Sequence, residues 1–396
     1  GEAMPKSWEA LLESVVERLR KLKLFSLDGE QVEFFSRLIP RCGCLKTIAM
    51  SGWHNGGFDR GSPGSPWMVL TTRALDVLGS APMLKHLVID RRLIRGEWKV
   101  LGPMSSNLTS LTLVGVSWRN SARWEALYDY LPHLAQLAHL RHLTLHCILP
   151  QGHSRNARRV IMLRTLRSFN LMDTADSMAM MVSSVRIPAT AVATFHLREV
   201  DSDVKQLLQA LADCWLDAND RRRTLSEIQV HAKYSSEDPS KNGYWLHLIF
   251  ISSVSPTSEI RLRLPSPAAD AIRDLITLIS EHFKLLNLRK LILNNIQAPL
   301  QFCEATWEAW LRCLPGLIEL HLLRTDPGPL LSLLKRTDAN GGRYFVPSLA
   351  YLALRGSMYK TPPLSDLVEK LGQEMKNRKS RRTVGSRSKT LKKGRV

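Results

Sequence analysis

Apolar residues recur along this chain in one short phrase, apolar-x-x-apolar-x-apolar, whose last two apolar positions lie two residues apart. The phrase reads LRKLKL from Leu19, LKTIAM from Leu45, LKHLVI from Leu84, LTSLTL from Leu108, LRHLTL from Leu140 and LRSFNL from Leu166. It continues as VATFHL from Val192, LSEIQV from Leu225, LRKLIL from Leu288, LIELHL from Leu317 and LAYLAL from Leu349. Two-residue spacing is the period of a strand, so Leu143 and Leu145 are predicted to face one way and Thr144, between them, the other. Successive phrases start 24 to 39 residues apart, apart from one gap of 63 between Leu225 and Leu288. Inside that gap, residues 244–251 and 258–264 both read as strands. The second alternates Ile260, Leu262 and Leu264 with Arg261 and Arg263. A hairpin near 244–264 is therefore expected to replace one regular unit.

Helical patterns separate the strands: VEFFSRLI from Val32, RWEALYDYL from Arg123, DVKQLLQALADCWL from Asp203, AADAIRDLITLISEHF from Ala268 and TWEAWLRCL from Thr306. A single short strand cannot bury its apolar face alone, whereas stacked strand-and-helix units bury one another. The expected fold is α/β, an irregular leucine-rich-repeat solenoid over residues 1–372, with a curved parallel sheet and helices on its outer face. The ninth position of such a repeat usually holds Asn or Cys, bonded to the backbone of the turn. Here it holds residues such as Trp53, Val116, Ile296 and Thr325, so no regular ladder is expected. The segment GWHNGGFDRGSPGSP, from Gly52 to Pro66, reads as a loop projecting from the second unit.

Phrases such as LTSLTLVGVSW, LRKLILNNI and VPSLAYLALRG, joined by variable helices, resemble the leucine-rich-repeat region of fungal F-box proteins from about Trp8 to Leu371. The resemblance implies a substrate-recognition role in a ubiquitin ligase, with the repeats capturing the substrate. It implies a cullin ligase adaptor as partner only if an F-box lies upstream. Nothing near the start resembles the Leu-Pro opening of that module, and PKSWEALLESVVERLRKLKLFSL reads instead as the helix and strand that begin the repeats.

Charge adds a second region. The chain carries 55 Lys and Arg against 36 Asp and Glu, a net +19. Ten of the basic residues and none of the acidic ones fall between Met375 and Val396, which leaves 45 against 36, or +9, for the rest. Residues 373–396 therefore read as a disordered basic tail. Lys376, Arg378, Lys379, Arg381 and Arg382, then Lys392, Lys393 and Arg395, are arranged as in a bipartite nuclear-import signal. Nucleic acid is a possible partner of this tail, although it has no aromatic residue for base stacking. The alternative function is accordingly a nuclear protein whose repeats bind protein and whose tail binds nucleic acid. No apolar run approaches the roughly 18 to 20 residues that span a bilayer, so no membrane association and a cytoplasmic or nuclear location are expected. The six cysteines are too sparse for a disulfide scaffold and read as reduced thiols, with Cys42-Gly43-Cys44 as an ordinary turn.

Catalytic motifs are lacking. There is no Walker loop, no GxGxxG after a strand, no HExxH and no GxSxG, and the prolines of GSPGSP remove N–H groups that a phosphate cradle would use. No enzymatic activity and no cofactor are expected. His139, His142, His146 and His153 form the densest histidine cluster. His142 and His146 would lie about 13 Å apart along a strand, too far to share one zinc, so exposed strand histidines are the expected reading. With the first apolar residue as position one, outward positions three, five and seven hold six of the twelve histidines: His86, His142, His146, His196, His231 and His321. Together with Thr144, Asn170 and Arg198 they are the candidate partner-binding residues of the concave face. Imidazoles there would bond to acidic or backbone groups of a protein partner, more strongly once protonated near their unperturbed pKa of about 6.5.

Overall fold

The computed structural model describes residues 6–27, 34–35, 37–52, 81–90, 107–114, 131–147, 149, 160–198, 204–215, 225–234, 244–252, 259–265, 278–279, 283, 285–296, 302–335 and 348–356. Most of the 52–66 loop, the helical patterns at 123–131 and 268–283 apart from a few residues, and the whole basic tail lie outside them. The protein is mixed α/β, with thirteen strands in a large, mostly parallel sheet that does not close into a barrel, and a few helices. It divides into two compact units, residues 1–217 with 257–260, and residues 218–256 with 261–396.

In the first unit helix α1 (Lys6–Val15) leads into strand β1 (Lys21–Leu27), as the opening segment predicts. Parallel strands follow as β2 (Thr47–Gly52), β3 (His86–Asp90), β4 (Ser110–Val114), β5 (His142–His146), β7 (Ser168–Asp173) and β9 (Val192–Leu197). Each pairs with the next in that order. Two-residue strands β6 (Ile161–Met162) and β8 (Val185–Arg186) form a separate parallel pair, which the apolar phrase did not signal. Helices α2 (Ala175–Ser184) and α3 (Val204–Trp215) pack on each other. The Thr174 hydroxyl caps α2 by accepting the Ser177 N–H at 3.4 Å.

The strand phase is as expected. Leu111, Leu113, Leu143, Leu145, Phe169 and Leu171 are fully buried, and the residues between them are half-buried or exposed. The first apolar residues are buried as well, among them Leu45, Leu84, Leu108, Leu140 and Leu166, because the chain turns into the core just before each strand. The entry also repeats from β1 to β7. The carbonyl at position two accepts the N–H groups of positions two and three of the next strand: Arg20 from Lys46 and Thr47, Lys85 from Thr109 and Ser110, Arg141 from Arg167 and Ser168.

One phrase is out of frame. Val192 donates its N–H to the Arg167 carbonyl and stands opposite Ser168, so it occupies position three and not position one. Buried Ala191, whose N–H donates to the Pro188 carbonyl as that of Leu166 does to Leu163, takes the place of the leading leucine one residue nearer the strand, and Thr190 is exposed. Val192, Phe195 and Leu197 reproduce the apolar spacing by coincidence, while Ala193, fully buried opposite Phe169, fills position four.

In the second unit β10 (Leu225–Tyr234) pairs in parallel with β13 (Lys290–Asn294), and β13, β14 (Glu319–Leu323) and β15 (Tyr351–Arg355) follow in parallel. The expected hairpin strands are present as β11 (Tyr244–Ser252) and β12 (Glu259–Pro265), of which residues 261–265 belong to this unit. They do not fill the gap between β10 and β13, which are direct neighbours. Instead β11 lies antiparallel along the other edge of β10, and β12 beyond it. Helices α4 (Glu304–Cys313) and α5 (Gly328–Lys335) pack together, and α4 buries Trp307 and Trp310 around Phe302.

The turns leaving the strands repeat too. Cys147, Asn295, Arg324 and Gly356 all stand at position eight and all have left-handed backbones, with φ of 51°, 60°, 50° and 65°. The N–H of Cys147 reaches the carbonyl of Met172, that of Asn295 reaches Leu323 and that of Arg324 reaches Arg355, each at position seven of the following strand. The missing Asn ladder has partial substitutes. Thr325, buried at position nine, accepts the Ile296 N–H at 3.3 Å and donates to the Leu323 carbonyl at 3.1 Å. Buried Asp173 accepts N–H groups from Leu149 and Thr174, both at 3.0 Å. Backbone N–H groups turned away from water need such acceptors whichever residue type supplies them.

Candidate functional site

The apolar face of each set of strands is closed to water and the opposite face is open, except at the edge strand β15, where Leu352 and Leu354 are half-buried and Ala353 on the opposite face is buried. Side chains from neighbouring strands stand in register on the open face, so its composition can be read row by row. In the first unit one row runs His86, Ser110, His142, Ser168, the next Thr112, Thr144, Asn170, Thr194, and a third His146, Met172, His196. His86 and His142 are exposed, while Thr144, His146, Asn170 and His196 are half-buried. Six of the predicted residues thus share one surface, whose middle row is apolar at Ala49 and Val88 and from β4 to β9 consists of hydroxyls and one amide, groups that can donate to or accept from a peptide backbone. His86 and His142 sit two strands apart, about 10 Å, as do His146 and His196. Among the described residues no three His, Cys, Asp or Glu come together as a metal site.

Arg198 is a correction. The out-of-frame seventh phrase put it at an outward strand position. It lies one residue beyond the end of β9, exposed, with its N–H donated to the Asp173 carbonyl at 3.2 Å. It belongs to the turn and not to the face.

In the second unit His231 and His321 are on the open face, both half-buried and both with partners. His231 Nε2 is 3.0 Å from Gln229 Oε1 and its Nδ1 is 3.1 Å from Asn294 Nδ2. The amide N–H donates to Nδ1, which assigns the remaining proton to Nε2 and makes the ring neutral. Gln229 donates to Glu227 at 2.7 Å and Lys290 lies 3.3 Å from Glu227, so a polar chain runs from Lys290 to Asn294. Burial first, and then the nearby Lys233 charge, hold the His231 pKa below that of a free imidazole. Its protonation is therefore shifted to lower pH than the ordinary imidazole value expected for it. His321 lies 3.3 Å from Glu319, and its ring centroid is 5.2 Å from that of Tyr351.

Sequence reasoning missed several members of this face. His247 stands opposite His231 and Trp245 opposite Lys233, a consequence of the antiparallel register of β11. The run YWLHLIFI contains both, but which residue meets which cannot be read without that register. The Arg263 guanidinium lies over the Trp245 ring, 4.0 Å from its centroid. The alternation of Arg261 and Arg263 with buried Leu262 and Leu264 was the available signal.

Cys42 is buried and its thiol donates to the Leu38 carbonyl at 3.4 Å, while Cys44 is exposed. Burial raises the Cys42 pKa, with the adjacent Arg41 opposing, so this sulfur is held as an unreactive thiol. The predicted localisation residues from Lys376 to Arg395 lie outside the described residues. No described helix is long and apolar enough to cross a membrane. The chain matches no protein-family model and no curated protein.

Proposed function

We propose that this chain is a non-catalytic protein-binding scaffold, built as an irregular leucine-rich-repeat solenoid, whose partner lies along the polar face of the parallel strands. One observation carries the reading. Parallel sheets are ordinarily covered on both faces, yet here one face of the strands is buried and the other remains open, polar and in register over several strands. The left-handed residue recurring at position eight and the shared carbonyl at the strand entries from β1 to β7 support the repeat architecture, since a regular backbone cycle accompanies the apolar phrase. The resemblance to fungal F-box proteins makes the substrate-recognition part of a ubiquitin ligase receptor the favoured role.

A second reading rests on the concentration of ten basic residues and no acidic ones between Met375 and Val396. In it the protein is nuclear, the repeats bind protein and the tail binds nucleic acid. Affinity purification of the full gene product from cells separates the two. A cullin adaptor and ubiquitinated polypeptides recovered in a salt-resistant complex support the first. Nucleic acid lost steeply between low and moderate salt, with no adaptor present, supports the second.

A further inference from the structure

We infer that one end of the open face in the second unit, around Arg263, Trp245 and Lys233, docks an acidic segment of a polypeptide partner. The inference rests on the protein-binding reading above and adds the chemistry of the ligand. Charge on this face is segregated along the strands. At the end where the parallel strands begin, Glu227, Lys290 and Glu319 stand side by side, and Lys290 is engaged by Glu227 at 3.3 Å. About 20 Å away, six residues along β10, the face carries Lys233 and, over Trp245, Arg263, with no Asp or Glu among the described outward residues there.

The basic end is prearranged. Arg263 is held flat over Trp245, and its Nε is shielded from water without a hydrogen-bond partner among the described residues. A guanidinium fixed on an aromatic ring loses little freedom on meeting a carboxylate, and its fork matches the two oxygens. Lys233, directly opposite Trp245 and exposed, adds a second cation. Between the two ends lie half-buried Ile249 and Ile292, suited to an apolar side chain.

This pattern selects among polymers. A uniformly charged polyanion such as single-stranded RNA lying along the face would gain from the basic end and be repelled by Glu227 and Glu319. An extended peptide with a carboxylate at one end and an apolar residue four positions away, about 13 Å along the strands, gains at both places.

The test is selection of displayed random dodecapeptides on the immobilised full-length protein, in parallel with Arg263→Gln, Lys233→Glu and Lys290→Gln. Thermal unfolding of each variant is measured alongside, and exposed Lys233→Glu serves even if Arg263→Gln misfolds. The wild type and Lys290→Gln should enrich peptides rich in Asp and Glu. A synthetic member of that pool should bind Lys233→Glu about tenfold more weakly, in line with the loss of one charge-assisted contact. A pool without acidic enrichment, or an acidic pool indifferent to Lys233→Glu and a folded Arg263→Gln, overturns this inference and leaves the scaffold reading standing. Displacement of the peptide by single-stranded RNA at equal or lower concentration also overturns it. Failure to select any peptide overturns both.

Discussion

Thr325 accepts the backbone N–H of Ile296, twenty-nine residues earlier, at 3.3 Å in a site closed to water. It thereby does at one turn what an Asn ladder does at every turn of a regular repeat, tying the exit of one strand to the exit of the next. Replacement by valine keeps the volume and removes the acceptor, leaving a buried N–H unpaired. Thr325→Val should lower unfolding stability by about 1 to 3 kcal/mol, whereas Thr325→Ser, which keeps the hydroxyl, should cost less. Chemical denaturation of both variants checks the difference, and equal losses would assign the effect to packing.

Gly356 shares its left-handed backbone with Arg324 at the equivalent place one turn earlier, and a Cβ added to Gly356 would lie 3.2 Å from Arg324 Cγ. Gly356→Ala should therefore destabilise by about 1 to 2 kcal/mol. Asn295 tolerates the same conformation partly because its side-chain amide donates to the Ala232 carbonyl at 3.0 Å. Asn295→Gly should consequently be milder than Asn295→Val, as measured by shifts in thermal midpoint.

Leu143 and Thr144 are adjacent and face opposite ways, the first fully buried and the second half-buried. Leu143→Ala should cost about 2 to 5 kcal/mol, and Thr144→Ala about 0.5 kcal/mol or less. Equal destabilisation would mean that the open face is covered within the folded chain.

Most of this pattern was legible in the apolar spacing, because a two-residue period fixes which residues share a face. Leu143, Leu145, Leu291 and Leu293 are where the phrase put them. It failed at Val192, where a β-branched residue two positions late imitated the leading leucine and carried Arg198 onto the wrong element. The hairpin was legible as two strands but not in its placement, since alternation along β11 does not say which edge of β10 it joins. The polar chain from Lys290 to Asn294 was hidden for a related reason. Residues 63 apart in sequence, His231 and Asn294, become neighbours only through parallel register.

His231 gives the fold a pH dependence of definite sign. Its folded pKa lies below the unfolded value of about 6.5, so its contribution to stability is complete above that value and is lost as pH falls through the folded pKa. Acidification below about pH 6.5 should therefore lower the thermal midpoint. In His231→Gln, which cannot titrate, that component of the fall should vanish. An unchanged acid slope in the variant would show that other groups account for it.

The central claim, that a protein partner lies on the open face of the strands, is tested most directly by site-specific photocrosslinking in cells. A photoreactive residue is placed at exposed His142 on that face or, as a control, at exposed Lys205 on α3. The account predicts a discrete covalent adduct with another polypeptide from position 142 and none from position 205. Adducts from position 205 alone, or from neither position when the full gene product is expressed, would contradict it.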